Sequence, residues 1–325
     1  MMNFIPIFEC IYPGIMKKTR LLLSALLCAA TLSAQYPYQA TDPDDPIYFD
    51  GKTVIYHTDT ITLGPKTFFI DGSLPDTISR VCRYVYTSVQ EAVGHLTPGT
   101  ADDPMKLYFA PWVYWVDDPD DPSVRRPQQG STPYGLIVRC DGLHLKGLTD
   151  DPSKVVLAGN RGQTMGAVGN FTLFYFDSDE VTCENLTLGN YCNVDLDYPL
   201  RPELNRPRRG SAIVQAQLAI CNSDRVFCRN VRFISRLNLC NFAGARRALF
   251  LGCHMECTDD ALCGTGVYKD CTLEFYAPRP FGHTEGNGAV FLHCDITSMS
   301  RGTQYFVKSR GPVAAIDTHI HGEHV

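Results

Sequence analysis

Three features are scarce in this 325-residue chain, and each scarcity closes off a class of protein. Long apolar runs are missing: the run at residues 21–32 falls well short of the ~20 residues that a membrane-spanning helix needs. Basic charge is in deficit, with 29 Lys+Arg against 35 Asp+Glu and a net charge of −6, so nucleic acid is not the expected partner. No two cysteines stand at CxxC spacing, which argues against a structural zinc site, and neither metal nor cofactor is assigned. Helical periodicity is also confined to one stretch, 86–96 (YTSVQEAVGHL), where Val89, Ala92 and Val93 share a face and Ser88 is the N-cap candidate.

What is present starts with an export signal. Lys17, Lys18 and Arg20 precede the apolar run, and the small pair Ser33 and Ala34 follows it, the order of a secretory signal peptide cleaved after Ala34. Residues 1–15 read as an upstream extension, and Leu27 before Cys28 argues against a lipoprotein. Residues 1–34 carry Lys17, Lys18 and Arg20 against Glu9, a net +2, so the exported chain stands at −8. A secreted or periplasmic monomer is expected. Twelve of the 14 cysteines remain after cleavage. Export permits disulfides, but the in-phase placing of Cys253, Cys271 and Cys294 favours small, buried, unpaired thiols.

A hydrophobic fraction of 44% with 20% charged residues is enough for a packed core, and a solenoid can extend one core over this length. After a lead segment (35–80) that is Pro/Asp-rich over 36–50, the domain expected over 81–325 alternates short β-like runs with Gly, Asn and Asp. Five of these overlay: VTCENLTL (181–188), VFCRNVRF (226–233), LFLGCHME (249–256), VYKDCTLE (267–274) and VFLHCDIT (290–297). Their fifth places hold Asn185, Asn230, Cys253, Cys271 and Cys294, which predicts one interior column. Intervals of roughly 20 residues between the last four suit one turn of a parallel β-helix. An antiparallel sandwich would place hairpin turns between neighbouring strands instead. Insertions at 117–135 and 191–210 are expected to project as loops, and nothing after Val313 reads as a cap for the last coil.

From about residue 86 to 299 the chain resembles the pectin methylesterase family in collinear order. YTSVQEAVGHL is similar to the family's opening helix, KLYFAPWVYWV to its first strand and LHLKGLTDDPSKVVLAGN to its second coil. QAQLAICNSDRVFCRNVRF resembles the QAVAL segment and the strand after it, with Gln215 on the motif glutamine and Asp224 on a later aspartate. CHMECTDDALCGTG resembles the segment ending in DFIFGNG and puts Asp260 on the nucleophilic aspartate. APRPF resembles LGRPW, with Arg279 on the motif arginine and Phe281, expected to bind substrate, in place of tryptophan. The resemblance implies an all-β fold, a single-stranded right-handed parallel β-helix with a short N-terminal capping helix, acting on pectic polysaccharide.

One motif departs. The QDTL segment falls on Leu237, Asn238, Leu239 and Cys240; Leu237 donates no hydrogen bond and Asn238 transfers no proton. De-esterification needs a nucleophile, oxyanion donors and an acid for the departing methoxide. The resemblance assigns Asp260 to attack and Arg279 to hold it ionised, and leaves the third role vacant, with His254, Glu256, His283 and Glu285 as substitutes and Asp259 expected to point away. Each position has a plainer reading: Asp260 a turn residue, Arg279 part of a rigid PRP bend, Gln215 a stacked coil residue. Trp112, Tyr114 and Trp115 fit sugar stacking or the core. Arg201, Arg206, Arg208 and Arg209 fit uronate carboxylates or a solvated loop. His319, His321 and His324 resemble a metal-type HxH but are assigned none. The rival functions are a non-catalytic pectin-binding β-helix and a pectate lyase.

Overall fold

The computed structural model describes residues 41–123, 134–162, 171–210, 216–236, 242 and 244–324. The expected signal peptide, Gln215, Leu237 and Asn238 lie outside them. Apolar residues alternate along short strands, and strands of successive coils pair in parallel to make three faces. The first face runs from Thr67–Ile70 through Met105–Phe109 and Leu143–Gly147 to the first half of Thr182–Asn190. It continues through the first half of Val226–Ile234, then Ala248–Leu251, Gly266–Lys269, Ala289–Leu292 and Val313–Ile316. The second contains Trp112–Asp117, Val155–Gly159, the second halves of those two long strands, then His254–Cys257, Thr272–Phe275, Asp295–Ser298 and His319–His321. The third contains Tyr134–Val138, Thr172–Phe176 and Gln217–Cys221. Coil by coil it continues through backbone bonds such as Ala261 N–H to the Pro280 carbonyl (2.7 Å) and Phe281 N–H to the Phe306 carbonyl (3.1 Å). The chain winds as a right-handed parallel β-helix, the hand that parallel crossovers adopt.

From the Thr182–Asn190 coil onward the backbone between the first two faces turns through a single left-handed residue per coil. Asn185, Asn230, Gly252, Asp270, His293 and Asp317 hold this corner at φ of 54°, 51°, 58°, 53°, 52° and 45°. Asn, Asp and Gly are the residues that accept such a φ at least cost. This corrects the expected single column. The pairing sets Phe227 opposite Leu249, so the Asn-bearing and Cys-bearing segments are offset by one residue from the overlay read in the sequence. Asn185 and Asn230 sit at the corner, where Asn230 Nδ2 donates to Asn185 Oδ1 at 2.9 Å. Cys253, Cys271 and Cys294 follow the corner residue and point inward, buried. All eleven cysteines among the described residues are free thiols. Burial pushes the Cys221 thiol up to about 12, which keeps it neutral and unreactive.

The interior of the later coils is filled by rings that meet coil after coil. Phe250 stacks on Tyr268 with centroids 4.9 Å apart, Tyr268 meets Phe291 at 5.1 Å, and Phe291 meets Phe281 at 5.9 Å. At the N-terminal end the parallel sheet opens at Thr67–Ile70, earlier than residue 81, because TFFI already carries a buried face. Before it Ile47–Phe49, Thr53–Tyr56 and Asp59–Thr62 form a small antiparallel sheet. The helix is Val89–Val93, shorter than expected because Tyr86 belongs to the strand Val85–Tyr86. Ser88 Oγ accepts the Glu91 N–H at 3.2 Å as its cap. Val89 and Ala92 pack into the core, and Gln90 Nε2 donates to the Trp115 carbonyl at 2.7 Å.

Candidate active site

On the third face the segment after His254–Cys257 runs beside the segment after Thr272–Phe275. The Asp260 N–H donates to the Arg279 carbonyl at 3.0 Å, and Asp260 holds φ 57°. An aspartate accepts this conformation more readily than most residues, and here it turns the carboxylate to the outside of the coil. Gly282 of the next coil makes room for it: a Cβ there would lie 3.1 Å from Asp260 Oδ1. From the coil beyond, Lys308 Nζ donates to Asp260 Oδ2 at 2.8 Å. The carboxylate in turn raises the lysine's proton affinity. Both side chains remain open to solvent at the wall of a cleft of about 770 Å³, whose other polar walls include Arg246, His283 and Glu285.

The other expected positions separate. Arg279 is brought next to Asp260 by its backbone only. Its guanidinium lies over the Tyr305 ring, 5.6 Å from the centroid, and its N–H donates to Asp259 Oδ1 at 3.2 Å. Asp259 thus faces the neighbouring backbone, away from Asp260. Among the described residues the cation on Asp260 is Lys308, which the sequence analysis missed: it stands 48 residues away in a segment without a motif. Its signal was the coil repeat alone, since Phe281 bridges Val307 and so sets residue 308 beside 282. Phe281 needs correction as a substrate-binding residue. It is 0% exposed, because its bridge to Val307 holds it in the ring-packed interior rather than at the cleft.

Arg206, Arg208 and Arg209 line a different cleft, of about 570 Å³, with Asp118 and Asp120. Arg209 is held by those two aspartates, and Arg206 lies over the Trp115 ring at 5.6 Å. Arg201 covers Trp112 at 5.0 Å, while Tyr114 is buried with its hydroxyl on the Ile70 and Ala110 carbonyls. The loop that carries the arginines packs Tyr191, Leu196 and Tyr198 onto the second face. Asp224 is clamped by Arg247, whose hydrogen bond holds the carboxyl down to about 2. His254 and Glu256 also belong to the second face: His254 Nδ1 meets Thr272 Oγ1 at 2.9 Å and Glu256 pairs with Arg236 at 3.1 Å. Burial raises the Glu256 carboxyl. On the third face itself Tyr134 and Tyr175 stack with centroids 4.5 Å apart, a flat pair of rings that sequence patterning had not singled out.

No family model and no curated protein sequence matches the chain. Solved structures do. A pectin methylesterase crystallised in complex with a hexasaccharide superposes with a TM-score of 0.50 at 16% identity, over 78% of this chain and 80% of that one. The YbhC protein of Escherichia coli superposes with a TM-score of 0.50 at 13% identity, over 90% of this chain and 79% of that one. The chain has a pectin methylesterase-like fold. No helix among the described residues is long and apolar enough to cross a membrane.

Proposed function

We propose that this chain is a carbohydrate esterase that hydrolyses methyl esters of pectic homogalacturonan, with Asp260 as the nucleophile. The observation that carries the reading is the Asp260 carboxylate itself. It is solvent-reachable, turned outward by a left-handed backbone, bonded to Lys308 at 2.8 Å, and set in a cleft on the third face of a fold like that of pectin methylesterases. A carboxylate held beside an ammonium is oriented for attack on an ester carbonyl. Lys308 takes the charge-partner role that the resemblance gave to Arg279, and the Tyr134 and Tyr175 rings offer a stacking surface for sugars on the same face. Residues 1–34 direct export and are removed, and the remainder acts as a monomer outside the cytoplasm on pectic polysaccharide, without metal or cofactor.

The test offers highly methylesterified homogalacturonan to the purified exported chain and follows methanol and ultraviolet absorbance together. Methanol release without unsaturated product is the expected result. Absorbance without methanol supports a lyase. Retention on pectin with neither product supports a binding β-helix, the reading that the Leu237 and Asn238 departures favour.

A further inference from the structure

An esterase of this kind must protonate methoxide as it leaves, and the position that resembles the family's acid/base carries Asn238, which has no proton to give. Of the four substitutes, His254 and Glu256 stand on the second face in contacts with Thr272 and Arg236. His283 and Glu285 instead line the cleft that contains Asp260. We infer that His283, oriented by Glu285, is the general acid and base of this site, an assignment that rests on the esterase reading above.

The geometry supports it in three ways. His283 Nε2 and Glu285 Oε1 are 2.9 Å apart, an imidazole–carboxylate pair that fixes the ring and leaves Nδ1 for a substrate oxygen. His283 directly follows Gly282, the residue packed on Asp260. With successive Cα atoms 3.8 Å apart, the His283 Cα lies at most about 8 Å from Asp260 Oδ1, a gap that an imidazole and an ester group fill together. A glycine also stands where the histidine's own backbone passes: a Cβ on Gly264 would lie 2.4 Å from the His283 carbonyl. The other charged side chains on the cleft are Arg246 and Lys308.

The steps balance. Asp260 attacks the ester carbonyl carbon, the bond to the methoxy oxygen breaks, and His283 gives its proton to that oxygen, so methanol leaves and a mixed anhydride stays on Asp260. Water then adds to the uronyl carbon and passes a proton to His283. The anhydride bond breaks, the uronic acid departs, and the Asp260 carboxylate and the protonated imidazole are restored. Nothing beyond ester and water is consumed.

The experiment compares wild type, His283→Gln and Glu285→Gln on two esters of the same uronate carboxyl, methyl and nitrophenyl. Nitrophenolate leaves without a proton, so only the methyl ester requires the acid. His283→Gln should lower kcat on the methyl ester by about 10²- to 10⁴-fold and nearly keep the nitrophenyl burst, with a smaller loss for Glu285→Gln. Equal loss on both esters would mean that His283 shapes the cleft only, and overturns the inference. Undiminished methyl ester hydrolysis in His283→Gln overturns it too, while the esterase reading stands. Absence of methanol from the wild type removes the esterase reading and this inference with it.

Discussion

At the scale of the residue, the site depends on a charge pair whose two halves come from separate coils. Lys308 touches the proposed nucleophile while Arg279 does not, so the two cations make opposite predictions. Lys308→Met should lower methanol release by about 10- to 100-fold through loss of carboxylate orientation, and Lys308→Arg should retain more than Lys308→Met. Arg279→Met should leave the rate within a few-fold of wild type. Initial rates of the three variants decide between the cations, and a severe loss confined to Arg279→Met would return the role to the motif arginine. Asp260 was singled out because a turn-forming acidic pair followed by a glycine stood in collinear order with neighbouring motifs. Lys308 was not, because a side chain contributed from two coils further on leaves no local pattern; only a correct count of residues per coil reveals it. Phe281 misled for a related reason, since an aromatic residue beside a motif arginine carries no mark of which side of its strand it faces until the register is fixed.

At the scale of the element, the corner between the first two faces shows how small residues with different reasons can look alike. Asn and Cys recur in phase, so the repeat and the coil length were readable. The one-residue offset was not, because both types are compact and the pattern does not separate a backbone requirement from an interior packing one. The distinction is measurable. Asn230 keeps φ 51° and donates to Asn185 Oδ1 and to the Asp150 carbonyl. Asn230→Ala should cost about 1–2 kcal/mol in denaturant unfolding, because an alanine there pays the left-handed penalty. Asn230→Gly should cost less, since glycine adopts the conformation freely and loses only the side-chain bonds. Equal costs would mean that the side-chain ladder, rather than the backbone, selects asparagine at this corner.

At the scale of the whole molecule, acid should loosen the β-helix through carboxylates that are partnered only when folded. Arg247 holds Asp224 down to about 2, and the hydrogen bond from His144 lowers Glu184. A lowered folded value means that the stabilisation is complete above the ordinary carboxylate range near pH 4 and is lost as pH falls toward about 2. Arg247→Gln should therefore be less stable than wild type near neutrality, with the gap closing as pH falls through about 2, as thermal unfolding across that window would show. The same winding that stacks these pairs gathers Asp260, Gly282 and Lys308 from three successive coils into one cleft. Whether that cleft is an ester-hydrolysing centre is decided by methanol release from methylesterified homogalacturonan, measured for wild type beside Asp260→Asn. The account predicts steady release by the wild type and none above background from the variant. Equal release from both, or none from the wild type, would contradict it.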